Sequence, residues 1–317
     1  MSNRLNIIDI LPKNWIDPEG KVSVFCSTYH CLTKVLEREK RDYISGQIFN
    51  TAYLIVRTSF EYQTSRLKYL GVLENGTLNF VQELTNHNES SNGAYIIFYS
   101  RYKGAETEDQ SISEIRISRG LLNLVEGRNT IFLHIYDNIL HLPSGESEMV
   151  SDSIKMPEIV QSFENGITID EVTKQILILE ESIQNRIKLA MKWVDDAEHE
   201  NQPIDSFLKL WFALEVLSMP NTTNIKPLNT TLGKIYTMSS QDVGQTFKIG
   251  IIFSLRSHIV HNGLNIPIHM QLNLYLKALI TDVLHDLCSM PSKLLAQQVL
   301  LNVDYVTGEE DWIPTLI

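Results

Sequence analysis

Apolar residues in the second half of the chain recur with the period of an amphipathic helix. From residue 168 onward they are spaced about 3.6 residues apart, and this stripe consists of Ile169, Val172, Ile176, Leu179, Ile183, Ile187, Ala190 and Val194. Thr168 and Glu171 have the spacing of a capping box at its start, and Pro203 lies beyond its end. The pattern predicts one continuous helix of about 30 residues.

Three more amphipathic helices are predicted further along the chain. They cover residues 204–219, 241–261 and 267–290. Asn262-Gly263 supplies a stop after the second of them. The polar segment 221–229 is predicted as a surface loop. Four long amphipathic helices on short links are typical of a helical bundle.

The first 165 residues instead contain short segments rich in Val, Ile, Phe and Tyr between turn residues. These segments predict β-strands at residues 21–26, 52–56, 94–99 and 130–136. Residues 28–44 and 111–125 predict helices, the second with a capping box formed by Ser111 and Glu114. Turns are predicted at Asn75-Gly76 and Asn92-Gly93. This half of the chain is therefore predicted to be an α+β domain.

The change of periodicity suggests three parts: a mixed α/β domain, an all-α helical bundle and a tail. They cover residues 1–165, 166–295 and 296–317. Segment 139–167 contains Pro143, Gly145, Pro157 and many acidic residues, and it is predicted as the linker. The tail carries an acidic run followed by Trp312, and it either docks on the bundle or frays.

The composition is that of a globular protein without a membrane span. Of 317 residues 43% are apolar, and no apolar run approaches the roughly 20 residues that a transmembrane helix needs. The first ten residues lack the cationic start and apolar stretch of a signal peptide. Cys26, Cys31 and Cys288 form neither a disulfide framework nor a metal-ligand set, so they indicate reduced thiols. A cytoplasmic protein is expected.

The formal net charge of −11 argues against high-affinity, non-specific binding of nucleic acid. Proteins of that kind usually present a basic surface, because phosphate contacts dominate their affinity. Neither residues 1–170 nor residues 171–317 have an excess of Lys and Arg. An RNA substrate would therefore have to be held by a local cluster of cations. The chain also lacks a Gly-rich phosphate loop, an H-E-x-x-H motif and a G-x-S-x-G motif.

One short segment of the predicted bundle combines residues that suit phosphodiester chemistry. In Arg256-Ser-His-Ile-Val-His261 a permanently charged guanidinium precedes a titratable ring by five positions. Arginine donates to non-bridging phosphate oxygens, and histidine side chains exchange protons near neutral pH. An isolated Arg/His pair is more often structural or solvated than catalytic. The segment therefore indicates a function only together with the residues around it.

Three neighbouring residues have both a functional and a structural interpretation. Glu215 lies on an apolar helix face, where an unpaired carboxylate is costly, so it either pairs with Arg256 or is exposed. His258 either assists His261 or is solvated. Asn262 contacts a phosphate or caps the helix, and capping is the favoured interpretation.

Two stretches carry a resemblance when they are taken together: Trp211-Phe-Ala-Leu-Glu-Val-Leu217 and Leu255-Arg-Ser-His-Ile-Val-His-Asn-Gly263. As the pair W-x-A-L-E-x-L and R-x4-H-N-G, they resemble the HEPN superfamily, in particular its ApeA-like branch. The resemblance covers residues 170–290, and Arg256 and His261 match the family's catalytic positions. Trp211 is expected in the core rather than stacked on a base.

The resemblance implies an all-α domain that dimerises and often acts as a metal-independent endoribonuclease. It implies no cofactor and no metal ion, with RNA as substrate, either single-stranded or as a tRNA loop. The reaction expected is attack of the 2′-hydroxyl on phosphorus, which gives 2′,3′-cyclic phosphate and 5′-hydroxyl ends.

The biological context is likewise implied by the resemblance. It suggests an anti-phage, abortive-infection, toxin–antitoxin or CRISPR-associated system, with an antitoxin, a defence-system partner or a phage trigger as further partners. The first domain would then have a sensing or regulatory role. The alternative is a non-catalytic HEPN-like module that dimerises and serves as an adaptor, which the acidic balance favours.

The spacing of the motif raises a geometric problem. Five residues along an α-helix turn the side-chain direction by about 500°, so Arg256 and His261 project about 140° apart. Three solutions are open: Arg256 reaches along the surface, the helix frays at Asn262-Gly263, or two protomers share one site. A two-fold homodimer through the helical domain is expected, with the fourth helix (Leu272, Leu276, Leu279) wide enough for core and partner.

Overall fold

The chain divides into two compact units in the computed structural model. Unit 1 comprises Met1–Ser118 and Asn129–Val160, and unit 2 comprises Arg119–Arg128 and Gln161–Ile317. The structure describes residues 6–32, 43–57, 60–61, 69–74, 77–82, 90–91, 93–126, 130–151, 158–160, 168–200, 202–263 and 267–307.

Unit 1 is built on an antiparallel sheet. Its strands are β1 (Val22–Leu32), β2 (Tyr43–Ile48), β3 (Thr51–Arg57), β8 (Gly93–Arg101), β9 (Thr130–Leu142), β10 (Glu146–Ser151) and β11 (Glu158–Val160). Two separate pairs are formed by β4 (Phe60–Glu61) with β7 (Ser90–Ser91), and by β5 (Tyr69–Glu74) with β6 (Thr77–Gln82). The order in the main sheet is β10-β9-β1-β8-β3-β2, and β11 pairs with the start of β9.

One hydrophobic core of unit 1 covers one face of this sheet, and side chains such as Tyr53 and Phe98 are buried on the other face. Two 3₁₀-helices, Ile7–Ile10 and Lys13–Trp15, pack their apolar side chains on it. The side chains buried there are Ile7, Leu11, Trp15, Val22, Val24, Cys26, Ala52, Leu54, Tyr95, Ile97, Tyr99, Leu140 and Leu142. Alternate residues of β1, β3, β8 and β9 belong to this core, as expected for a sheet whose side chains have period two.

All four predicted strands are confirmed, but the helix predicted over 28–44 is wrong in the described residues. Residues 28–32 continue β1, and residues 43–44 begin β2. The strand continues because β1 hydrogen-bonds to β8 on one side and to β9 on the other, and this pairing overrides the local pattern. Residues 33–42 lie outside the described part of the chain.

The predicted linker over 139–167 is also wrong where it is described. Residues 139–142 complete β9, residues 146–151 form β10, and residues 158–160 form β11. The proline and glycine belong to a hairpin: the N–H of Gly145 donates to the carbonyl of His141 at 2.8 Å, and Gly145 has a φ of 78°. Asn75, Gly76 and Asn92 lie outside the described residues, so both predicted turns stay predictions.

Helix α1 (Glu108–Glu126) is confirmed, although it begins before its predicted capping box. The hydroxyl of Ser111 donates to the carbonyl of Arg101, and Glu114 accepts from the hydroxyl of Ser100 at 2.6 Å. Residues 119–126 belong to unit 2. There a Cβ on Gly120 would lie 2.1 Å from the carbonyl oxygen of Met191, so only glycine allows this close approach.

Unit 2 is helical. Its remaining helices are α2 (Ile169–Leu177), α3 (Glu181–Glu198), α4 (Pro203–Ser218), α5 (Lys226–Tyr236), α6 (Ser240–Thr246), α7 (Ile249–Asn262), α8 (Met270–Leu287) and α9 (Leu295–Thr307). The predicted order, a mixed α+β half followed by a helical half, is confirmed. In the part of the chain that the structure describes, each helix is too short or too polar to cross a bilayer.

Three details of the helical prediction are corrected. The single helix from residue 168 is two helices: the amide of Gln184 donates to the carbonyls of Leu177 and Leu179, which ends α2. Its predicted capping box at Thr168 is confirmed. The helix over 241–261 is interrupted at Lys248, which is left-handed with φ 57°. The loop over 221–229 gives way to α5 at Lys226, with Pro227 in its first turn.

The other two predicted helices are confirmed. Helices α4 and α8 confirm the segments predicted over 204–219 and 267–290. The predicted tail contains α9, whose first N–H groups are held by the carboxylate of Asp282 (Leu295 at 3.0 Å and Ala296 at 2.9 Å). Trp312 lies outside the described residues.

Candidate functional site

Arg256 on α7 is held by Glu215 on α4. A terminal nitrogen of the guanidinium lies 3.4 Å from Oε2 of Glu215, and the two side chains are 20% and 22% exposed. The other oxygen of Glu215 accepts the indole N–H of Trp211 at 2.7 Å. Trp211 is fully buried, as predicted. The predicted pairing of Glu215 with Arg256 is confirmed.

Phe212 is a further contact of this arginine that the sequence analysis missed. The guanidinium carbon lies 5.6 Å from the centre of the Phe212 ring, within the range of a cation–π interaction. Phe212 and Glu215 are three residues apart, so they project from one face of α4. The three-residue spacing of Phe212 and Glu215 is the sequence feature that could have indicated this contact.

Arg256 retains hydrogen-bond donors that are not used. Of its five N–H groups, one faces Glu215. Its buried Nε has no hydrogen-bond partner among the described residues. The arginine is therefore held by a carboxylate and a ring. Its Nε is buried, so the donors that an anion could reach are the remaining N–H groups of the terminal nitrogens.

His261 projects from a different side of α7. Helix α7 turns Ile249, Ile252, Leu255 and Ile259 into the core, whereas His261 is exposed. The outward stripe has helical spacing; Ile251, His258 and His261 in it are exposed, and Ser254 is half-buried. Among the described residues no hydrogen bond joins Arg256 to His261, and their spacing along α7 turns the two side chains about 140° apart.

The end of α7 is ordered by its cap. Gly263 is left-handed with φ 64°, and its N–H donates to the carbonyl of His258. This confirms the predicted stop at Asn262-Gly263, and α7 is helical through Asn262 in the structure. Asn262 is the last helical residue and does not cap, because Gly263 takes that position. Its side-chain amide instead lies 3.2 Å from Nδ1 of His258.

The fourth predicted helix does not offer the partner surface expected of it. Leu272, Leu276 and Leu279 on α8 are all fully buried within the chain. Ile280 and Leu284 beside them are buried as well. Helices α4, α5 and α9 pack around α8, so its apolar width is used by one protomer. Exposed apolar side chains are found instead on α7, where Ile251 is 45% exposed.

Comparison of the chain with protein-family models, with curated proteins and with solved structures finds no match. The geometry of α4 and α7 is thus the basis for any functional conclusion.

Proposed function

We propose that the chain is an endoribonuclease that acts without a metal ion. The observation that carries the proposal is the pair formed on α7: an arginine held by Glu215 and Phe212 with unused donors, and an exposed histidine near the ordered end of the same helix. The resemblance of these residues to the R-x4-H motif of the HEPN superfamily supports this assignment.

In the proposed reaction the RNA supplies its own nucleophile. The 2′-oxygen forms a bond to the adjacent phosphorus while the bond from phosphorus to the 5′-oxygen breaks. His261 removes the proton from the 2′-hydroxyl or donates one to the leaving 5′-oxygen. Arg256 donates to the non-bridging oxygens, on which negative charge increases. The products are a 2′,3′-cyclic phosphate and a 5′-hydroxyl.

The active site is formed by two protomers in this proposal. Within one chain Arg256 faces α4 and His261 faces outward, about 140° away around the helix. A two-fold contact between two α7 helices brings the outward stripe of one protomer to the arginine edge of its partner. The apolar member of that stripe, Ile251, supplies area for the contact.

Pairing of two α7 helices would also allow a chain with a net charge of −11 to bind a phosphate. Two arginines and up to four histidines would meet along the two-fold axis, and they would concentrate positive potential where a phosphate binds. The rest of the acidic surface would repel long nucleic acid, so a short single-stranded segment or a tRNA loop is the proposed substrate. We also propose that the protein acts in the cytoplasm in defence against phage. Unit 1 would then be the sensing or regulatory part.

A second candidate is a dimerising adaptor without catalysis. The observation that favours it is the ion pair itself, because Glu215 compensates the charge of Arg256 and His261 projects about 140° away around the helix. Expression separates the candidates. A nuclease is toxic under its trigger only when His261 is intact, whereas an adaptor with His261→Ala is as harmless as the wild type.

Direct cleavage is the decisive experiment. Total RNA and tRNA are incubated in EDTA with the wild type, Arg256→Ala, His261→Ala and, as a matched control, His269→Ala. His269 is an exposed histidine before α8. The proposal predicts cyclic-phosphate ends from the wild type and the control, with a loss of about a hundredfold or more in the other two. Equal activity in all four would remove Arg256 and His261 from the mechanism.

A further inference from the structure

A cleft of about 670 Å³ opens at one end of the main sheet of unit 1. Strands β1 and β10 begin there, and β8 and β9 end there. Ser23, His141 and Glu146 are register partners across three of these strands, and the N–H of Tyr102 donates to the carbonyl of Ser23 at 2.9 Å. The antiparallel ladder therefore fixes the backbone that carries the lining side chains.

The lining of the cleft contains two cations without an ion-pair partner among the described residues, beside the carboxylates of Asp17 and Glu146. The side chains of Arg101 and Lys103 line it and form no ion pair or hydrogen bond with the described part of the chain. A third cation, Lys21, lies 2.6 Å from Glu19. An anion is favoured here because the two unpaired cations lie close together in the chain: Arg101 is the last residue of β8, and Lys103 follows two residues later.

Two carboxylates also line the cleft, and they limit what binds beside the anion. Oδ1 of Asp17 accepts the backbone N–H groups of Glu19 (2.9 Å) and Lys21 (2.7 Å), which compensates part of its charge. Glu146 is exposed at the start of β10. Carboxylates accept from hydroxyl and amino groups, so the ligand should carry such donors away from its anionic end.

The rest of the lining is apolar, aromatic or hydroxylic. Trp15, Val22 and Leu142 are buried residues of the sheet core that reach the cleft. Tyr102 adds an aromatic ring, and the Ser23 hydroxyl lies 2.8 Å from Nδ1 of His141. A bare phosphate would leave this apolar surface uncovered. The volume lies within the range of about 300–1,000 Å³ that small-molecule sites occupy.

We propose that this cleft binds a nucleoside monophosphate. Its phosphate lies at Arg101 and Lys103, its base lies against Tyr102 and the apolar lining, and its sugar hydroxyls and amino groups face Ser23 and the carboxylates. This binding is separate from the proposed RNA cleavage and uses none of the residues of α4 or α7.

Isothermal titration of the full chain tests the inference. AMP, GMP, CMP and UMP are titrated separately, beside inorganic phosphate and adenosine. At least one nucleotide binds more tightly than both fragments. Arg101→Gln weakens that binding about tenfold or more, because a charge-assisted contact to phosphate is lost, whereas Arg101→Lys keeps most of it. Lys174→Gln, an exposed lysine on α2, is the charge-matched control and leaves the affinity unchanged.

Three results would overturn the inference. None of the four nucleotides binds at millimolar concentration; or phosphate binds as tightly as the best nucleotide; or Arg101→Gln, folded by circular dichroism, binds like the wild type. Arg256→Ala is included because binding that depends on Arg256 and not on Arg101 would place the nucleotide on α7. A failed cleavage assay leaves these outcomes unchanged.

Discussion

The carboxylate of Glu215 lies 3.4 Å from the guanidinium of Arg256, and its second oxygen accepts the indole N–H of the buried Trp211. The arginine is thereby connected through one carboxylate to the core of unit 2. A long side chain on a helix surface normally samples several rotamers. This contact restricts Arg256 before any phosphate is bound, which is the property that a charge-stabilising group requires.

Glu215→Gln tests whether that restriction matters for activity. The amide oxygen still accepts from Trp211, but the charge that attracts Arg256 is gone. We expect RNA cleavage to fall about tenfold, corresponding to about 1.4 kcal/mol of transition-state stabilisation, with little change in the free energy of unfolding. Single-turnover cleavage and urea unfolding measure the two effects. A variant that cleaves like the wild type would show that the contact is only structural.

The oligomeric state tests the proposed contact between α7 helices. Light scattering at micromolar concentration should give about twice the 36.3 kDa of the chain. Ile251→Glu introduces a charge into the outward stripe and should yield a monomer without RNA cleavage. Ile178→Glu is the matched control, since Ile178 is 77% exposed outside that stripe. A wild-type monomer that cleaves RNA would rule out a shared site.

Breaking the buried ion pair between Arg119 and Asp195 should destabilise the chain more than breaking an exposed ion pair. Nε and a terminal nitrogen of Arg119 lie 2.6 Å and 2.9 Å from the two carboxylate oxygens, and both side chains are buried. Arg119→Ala removes the two-pronged donor of the buried Asp195 carboxylate, although His199 remains 3.9 Å away. Breaking a buried pair in this way costs about 3–5 kcal/mol. Urea unfolding measures the loss. Lys234→Ala, which removes an exposed ion pair with Asp286, should change little, and an equal loss in both variants would contradict this ranking.

His285 should make unfolding sensitive to pH. It is fully buried on α8, its ring nitrogens have no hydrogen-bond partner among the described residues, and burial lowers its pKa to about 4, with Lys293 adding to the effect. The unfolded chain protonates this ring near pH 6.5, whereas the folded chain resists protonation down to about pH 4. The contribution of His285 to the free energy of unfolding is therefore greatest above pH 6.5. It is lost as the pH falls from 6.5 to about 4, by about 3 kcal/mol in total.

Comparison with His285→Leu isolates this contribution. The leucine variant should show a flatter dependence of the unfolding free energy between pH 6.5 and pH 4, because it has no ring to protonate. Denaturant titrations at a series of pH values provide the comparison. Parallel curves for the two proteins would assign the pH dependence to other groups.

The sequence predicted the features that depend on local chemistry. The capping box of Thr168 and Glu171 formed because both partners lie within one turn. The cost of a carboxylate on an apolar face left two alternatives for Glu215, pairing with Arg256 or exposure, and the structure shows the pair. The break between α2 and α3 was not visible, since the apolar stripe continues in phase through residues 177–180 although Ile178 is largely exposed.

Features that depend on distant segments were missed because a local pattern carries no information about which segments pack against it. Residues 28–32 form a strand because β8 and β9 pair with them on both sides. Periodicity likewise does not report how many neighbours cover a helix, so the full burial of α8 was not foreseen. The cleft of unit 1 arises where four strand ends meet, and no short motif marks Arg101 or His141 in advance.

Mixing two inactive variants tests the shared active site most directly. Arg256→Ala and His261→Ala are co-expressed with different tags, and RNA cleavage in EDTA is measured for the purified mixture. In a mixed dimer, one site takes Arg256 from one protomer and His261 from its partner, so it is intact. Half of randomly formed dimers are mixed and each has one of its two sites, so the account predicts about a quarter of wild-type activity. A mixture as inactive as its two components would contradict it.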